Sequence, residues 1–171
     1  VVDNASGRIR ACCALKEGPE KFHEGHVGGV AALNGSLWVA SDGKILQYDL
    51  GPLLSDRPPA AVVPLSVRDA ETAAAFCTAT ADTLFVGEDA FGWKYRTDRS
   101  HNLRDRKGIS KYAWVCGYPA GDPLGRPQFV LSIRRKVQGM HVTPDRVFLS
   151  LSIGRRNRST IVVYRNPLRE E

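Results

Sequence analysis

The chain has little of what most recognisable chemistry requires. No run approaches the roughly 18 uncharged apolar residues of a membrane helix, so no membrane partner is expected. No GxSxG elbow is present, since "LSLSIG" at 149–154 sets Ser150 and Ser152 on one face of an alternating strand. No glycine-rich phosphate loop precedes a helix, and no CxxC occurs. The four cysteines, Cys12, Cys13, Cys77 and Cys116, fit no zinc spacing. Adjacent Cys12 and Cys13 in a strand would point to opposite faces and chelate poorly. All four read as small buried hydrophobes, which suits a reducing, cytoplasmic compartment, with a disulfide as the alternative. The start, "VVDNASGRIR", lacks the basic and apolar regions of a signal peptide. A leader removed during maturation would leave no trace, so secretion stays open. "VVD" reads as the end of a strand already under way, as in a fragment or a mature product.

What is present is an ordinary apolar share, 43%, with 25% charged residues in 171. That suits one domain with a real core and excludes general disorder. The net charge of +6 is unevenly spread. Residues 1–93 hold 7 Lys/Arg against 12 Asp/Glu, whereas residues 94–171 hold 17 against 6. Such asymmetry points to an anionic partner for the second half, or to pairing of unlike halves between chains. A solvated Arg-rich surface is the plainer alternative.

Short apolar runs separated by turn residues fill the chain. "HVGGVAAL-NGS-LWVAS-DGK-ILQYDL" gives three strands around Asn34-Gly35 and Asp42-Gly43, and Gly35 is expected to hold a positive φ. "GPLLSDRPP" reads as a loop and "AAVVPLSV" as a fourth strand. "ETAAAFCTAT-AD-TLFVGED", "KYAWVCGYPAG" and "PQFVLSIRR" give a second set of four; "RDAETAAAF" is the best helical candidate but reads as strand by its place in the unit. "VQGMHVT-PD-RVFLSLSI" and "STIVVYRNPL" give a third set with no evident fourth strand. Gly29 and Gly139 fall at the same place in the first strand of their sets, and Trp38 and Trp114 are expected in the core.

Four strands per unit at a period of about 40 to 60 residues is the pattern of a propeller blade. On these runs the chain resembles bladed β-propeller proteins, with no WD or kelch motif to name a subfamily. The resemblance implies an all-β, propeller-like array of four-stranded antiparallel blades; a β-sandwich built from the same hairpins is the alternative. It implies a single domain over 1–171, with an N-terminal hairpin at 1–15 and units near 26–68, 71–135 and 137–168. Three blades are too few to close a ring. Either the chain is part of a longer one, or two copies form a homodimer that completes the ring. "RIRACCAL" is then the candidate for the missing outer strand.

In propellers the entries to the inner strands and the loops between second and third strands share one ligand-binding face. That places His23, Glu24, His26, Asp69, Glu71, Lys136 and Gln138 together. "FHEGH" at 22–26 is not HExxH, and two ordinary surface histidines are its plainer reading. The second group is the long connection "EDAFGWKYRTDRSHNLRDRKGISKY", in which Trp93, Tyr95 and His101 sit among arginines. The third is "GRRNRS", whose Arg155, Arg156 and Arg158 suit a carboxylate or phosphate. The ligand-binding candidates are therefore His26, Glu71, Gln138, Trp93, Tyr95, His101, Arg155, Arg156 and Arg158. No catalytic residue, metal ligand or cofactor is implied. The expected function is a non-catalytic binding or scaffold module whose basic face takes an anionic small molecule or an acidic protein. The alternatives are a propeller-type hydrolase or lyase with a metal or His near His26, and nucleic-acid binding by the 94–111 loop.

Overall fold

A computed structural model describes residues 1–93, 95–152 and 158–169. In chain order the strands are β1 (Ala14–Leu15), β2 (Val27–Leu33), β3 (Ser36–Ser41), β4 (Lys44–Asp49), β5 (Ala61–Val62), β6 (Ser66–Asp69), β7 (Phe76–Ala79), β8 (Thr83–Gly87), β9 (Leu103–Arg104), β10 (Ser110–Lys111), β11 (Ala113–Pro119), β12 (Phe129–Ile133), β13 (Val137–Val142), β14 (Arg146–Leu151) and β15 (Thr160–Arg165). One short helix, α1 (Leu50–Leu54), and a 3-10 turn at Arg99–His101 interrupt them. The chain is all-β. Its three main sheets are antiparallel, ordered β2-β3-β4-β6, β7-β8-β11-β12 and β13-β14-β15, and the described residues form no closed ring.

Turn chemistry sets the hairpins. Asn34 (φ 49) and Gly35 (φ 71) join β2 to β3, and Asp42 (φ 47) and Gly43 (φ 77) join β3 to β4. Paired positive φ values match the right-handed twist of the strands, which is why Asn-Gly and Asp-Gly occupy these sites. The register shifts between Val27 and Gly29 in β2 and again between Val137 and Gly139 in β13. The glycines aligned by sequence thus mark the same irregularity in two sheets.

The sheets meet along their first strands: β7 packs against both β2 and β13. Gly28 and Gly29 make the first contact possible. A Cβ on Gly28 would stand 2.1 Å from the Ala75 carbonyl oxygen, and one on Gly29 would stand 2.7 Å from the Cys77 amide nitrogen. Behind this contact lie two seams. Ala31, Leu33, Trp38, Ala40 and Ile45 of the first sheet pack on Cys77, Leu84, Val86, Cys116 and Tyr118 of the second. The other face of the second sheet, with Phe76, Phe85, Val115 and Ile133, packs on Val137, Met140, Val147 and Leu149 of the third. The middle sheet is covered on both faces, so β8 is buried throughout and its "TLFVG" is nearly all apolar.

Several expectations are corrected. Residues 70–75 of "RDAETAAAF" are not strand; Ala74 has φ 47, and β7 begins only at Phe76. The first residues of "GPLLSDRPP" form α1, capped by Asp49, whose carboxylate accepts from the Gly51 amide at 2.9 Å. "AAVVPLSV" splits near Pro64, which has no amide proton for a ladder, and only β6 joins the sheet. "RIRACCAL" adds no strand to the third sheet. Its end, β1, pairs parallel with β5, and Leu15 and Val62 cover Val39, Leu46 and Tyr48 on the far face of the first sheet. Residues 1–15 hold one antiparallel bridge, Val2 to Ile9.

Cys77 and Cys116 are buried, but Cys12 is exposed and Cys13 half-buried, because the N-terminal segment lies outside the main sheets. All four are free thiols. Cys77 and Cys116 pair with Val86 from opposite sides, about 10 Å apart by strand spacing and beyond disulfide reach. Burial pushes the Cys77 thiol up to about 12 and Cys116 to about 11. Trp38 is 2% exposed, whereas Trp114 is only half-buried.

The glycine contact yields a paired prediction. Gly28→Ala should cost about 2–3 kcal/mol in urea unfolding, because the new methyl meets backbone. Gly139→Ala, with nothing within 4 Å of its Cβ, should stay within about 0.5 kcal/mol of the parent. Equal midpoints for the two variants would contradict the close approach of β2 and β7.

Candidate functional site

Beside the entries to β2, β7 and β13 lies a cleft of about 430 Å³. His26, Asp42, Asp89, Tyr95, Arg96 and Gln138 line it, together with the 73–75 backbone. The β3–β4 turn holds its first wall: Asp42 Oδ2 accepts from the His26 amide at 3.0 Å, and Ser41 Oγ donates to the His26 carbonyl at 2.9 Å. His23 lies behind, its Nε2 3.0 Å from Ser41 Oγ and its Nδ1 3.1 Å from Glu17 Oε1. It is therefore a brace for this turn, and its side chain is 6% exposed.

Gln138 projects from the irregular start of β13, and its Nε2 donates to Asp89 Oδ2 at 2.6 Å. Asp89 follows β8 and is 8% exposed. Its Oδ1 is enclosed without a hydrogen-bond partner. Burial raises the Asp89 pKa, against the lowering effects of the Gln138 bond and of Lys136. An ionised carboxylate here is destabilising to the fold.

A second cleft of about 290 Å³ adjoins the first and shares Tyr95 and Arg96 with it. Thr97, Arg99, Asn102, Tyr112 and Arg135 complete its polar lining, which contains no carboxylate among the described residues. The Arg135 guanidinium carbon sits 3.6 Å from the centroid of the Tyr112 ring, a stacking that holds the charge in place. Next to Arg135, Arg134 and Lys136 line a further cleft of about 250 Å³ with Arg158. Arg96, Arg99, Arg134, Arg135 and Arg158 form no ion pair among the described residues, and Lys136 acts on the Asp89 carboxylate without an ion-pair contact.

The long connection is anchored rather than patternless. Phe91 and Tyr95 form a bridge, Asp98 caps the 3-10 turn, and β9 pairs with β10. Its deepest anchor is His101, 7% exposed, stacked on Trp114 at 3.8 Å between ring centroids. His101 Nδ1 lies 2.7 Å from Glu88 Oε1. Glu88, 1% exposed, also accepts from the Trp114 amide at 2.9 Å and the Ala73 amide at 3.3 Å. One buried carboxylate thus ties the connection, β11 and the entry to β7 together.

Of the sequence candidates, His26, Tyr95 and Gln138 meet in the first cleft. His101 faces inward beneath the connection. Glu71 is elsewhere: it accepts from the Tyr118 hydroxyl and lies 3.6 Å from Arg68, whose guanidinium covers the Tyr118 ring at 4.5 Å. Trp93 is 81% exposed and lines none of these clefts. Arg158 lies on the rim, while Arg155 and Arg156 lie outside the described residues. Asp42, Asp89, Arg99 and Arg135 were not singled out from sequence. Asp42 was readable as a turn residue, but nothing in "GED" marks Asp89 as buried. Among the described residues no group of three or more His, Cys, Asp or Glu side chains is placed to hold a metal ion. Comparison with known protein families, with curated proteins and with solved structures finds no match.

Asp89 gives a pH test with a definite sign. A carboxyl whose folded pKa is raised stabilises the fold only while protonated, and that stability is lost as pH rises from the ordinary carboxylate range through the folded value. Asp89→Asn, which keeps an oxygen for Gln138, should raise the denaturant midpoint at pH 7 and lose that advantage at pH 3. An Asn variant less stable than the parent at pH 7 would show the charge to be compensated.

Proposed function

We propose that this chain is a propeller-type binding module whose ligand is a small multivalent anion. The propeller reading draws on three antiparallel sheets fanned from adjoining first strands, with the recurring irregularity of β2 and β13. The observation that carries the ligand class is the second cleft, where Arg96, Arg99 and Arg135 line about 290 Å³ with no acidic residue in the lining among the described residues. Cations that line one cleft repel one another, and a bound anion relieves that repulsion. Guanidinium groups suit phosphate or carboxylate because they donate paired hydrogen bonds in a fixed plane. The stack on Tyr112 and the anchoring of the connection by His101 fix part of this geometry before a ligand arrives, which lowers the entropy cost of binding.

Isothermal titration with inorganic tripolyphosphate tests this reading. Binding should be measurable at low salt and weaken steeply as sodium chloride is added, since released counterions drive part of it. The double variant Arg96→Ala/Arg135→Ala should bind at least about tenfold more weakly, the loss of roughly one charge-assisted contact. Unchanged affinity in that variant, or no binding at low salt, would overturn the assignment.

A further inference from the structure

The two ends of the three-sheet array differ in character. Strand alternation turns Met140, Val147 and Leu149 toward the second sheet. The opposite face of the third sheet then carries Phe148, paired with His141 and Val163, and Ser150, paired with Ile161. Ile161 is 69% exposed and Val163 43%. On the same face Arg146 and Arg165 stand directly opposite each other. Like charges in that register are destabilising, and neither has an ion-pair partner among the described residues.

The far face of the first sheet is half covered. The segment around β1 and β5 shields Val39, Leu46 and Tyr48, but the shield stops short of β2. Val30, directly paired with buried Val39, is 56% exposed; Val27 is 40% and Val67 41% exposed. Phe22, on the covering segment, is 53% exposed. Glu20 and Glu24 lie two positions to either side of it, both exposed and in no ion pair among the described residues; the Lys16 ammonium stands 5.1 Å from the Phe22 ring, and Lys21 pairs with Glu17. Segment 16–24 carries two lysines against three glutamates, so this end is apolar with a small negative excess, while the other is apolar and basic.

We infer that the chain docks on a second copy of itself, the outward face of β14 and β15 against the Phe22–Val30 end of the partner. A two-fold axis makes this contact twice. Arg146 and Arg165 of each copy then meet Glu20 and Glu24 of the other, and both apolar ends leave water. Three sheets from each copy give six, within the range in which propellers close. The inference stands apart from the anion cleft, which lies on neither end face.

Sedimentation velocity of the full chain over a range of concentrations tests it, with thermal unfolding as a control for folding. A stable two-chain species is expected. Arg146→Glu/Arg165→Glu should reduce it to single chains, and so should Glu20→Arg/Glu24→Arg. An equimolar mixture of these two variants should restore the two-chain species, because the two reversed ends meet each other and the two native ends meet each other. A single-chain mass at all concentrations, assemblies that grow without limit, or a mixture that stays dissociated would overturn the inference.

Discussion

The arrangement depends on how closely two backbones approach. Where β2 meets β7, the chain has no side chain on Gly28 or Gly29, and the carbonyl of Ala75 and the amide of Cys77 occupy the space a Cβ would need. Strands that touch at this distance bring whole sheets into register, so that Trp38 and Ile45 reach Leu84 and Val86. The middle sheet is then covered on both faces, and burying apolar surface on two sides rather than one is what leaves its central strand β8 buried throughout.

The same convergence creates the clefts. Entries to three neighbouring strands and the β3–β4 turn cannot all fill the space between them, and polar residues at their ends face one another across it. The long connection between β8 and β11 closes one side because Glu88 fixes it through His101. That carboxylate stabilises the architecture, whereas Asp89, the next residue, opposes it with an unpartnered oxygen and a raised pKa.

Local rules were legible in the sequence and non-local ones were not. Asn34-Gly35 and Asp42-Gly43 declared their hairpins because positive φ has few tolerated residues. Gly29 and Gly139 marked equivalent strands although only the first is crowded. Residues 70–75 read as strand by their place in the unit, against the helical leaning of their alanines, yet their backbone bonds go to the Glu88 side chain, Gly43 and Gly87. His101 was visible as a chemically useful residue among arginines; its burial against Trp114 depends on a partner strand that no local pattern specifies. For the cleft, residue types at the strand entries pointed to His26 and Gln138, while Arg135 needed Tyr112 beside it to become more than a solvated charge.

The contact between the first two sheets is open to direct observation. Nuclear Overhauser spectroscopy of labelled protein should show strong cross-peaks from the Gly29 α-protons to the Cys77 amide, alongside peaks between Trp38 and Leu84. Their presence would establish that β2 and β7 run against each other at glycine distance. Folded protein with dispersed resonances and no Gly29–Cys77 peak would contradict the account, and the sheets would have to meet in some other way.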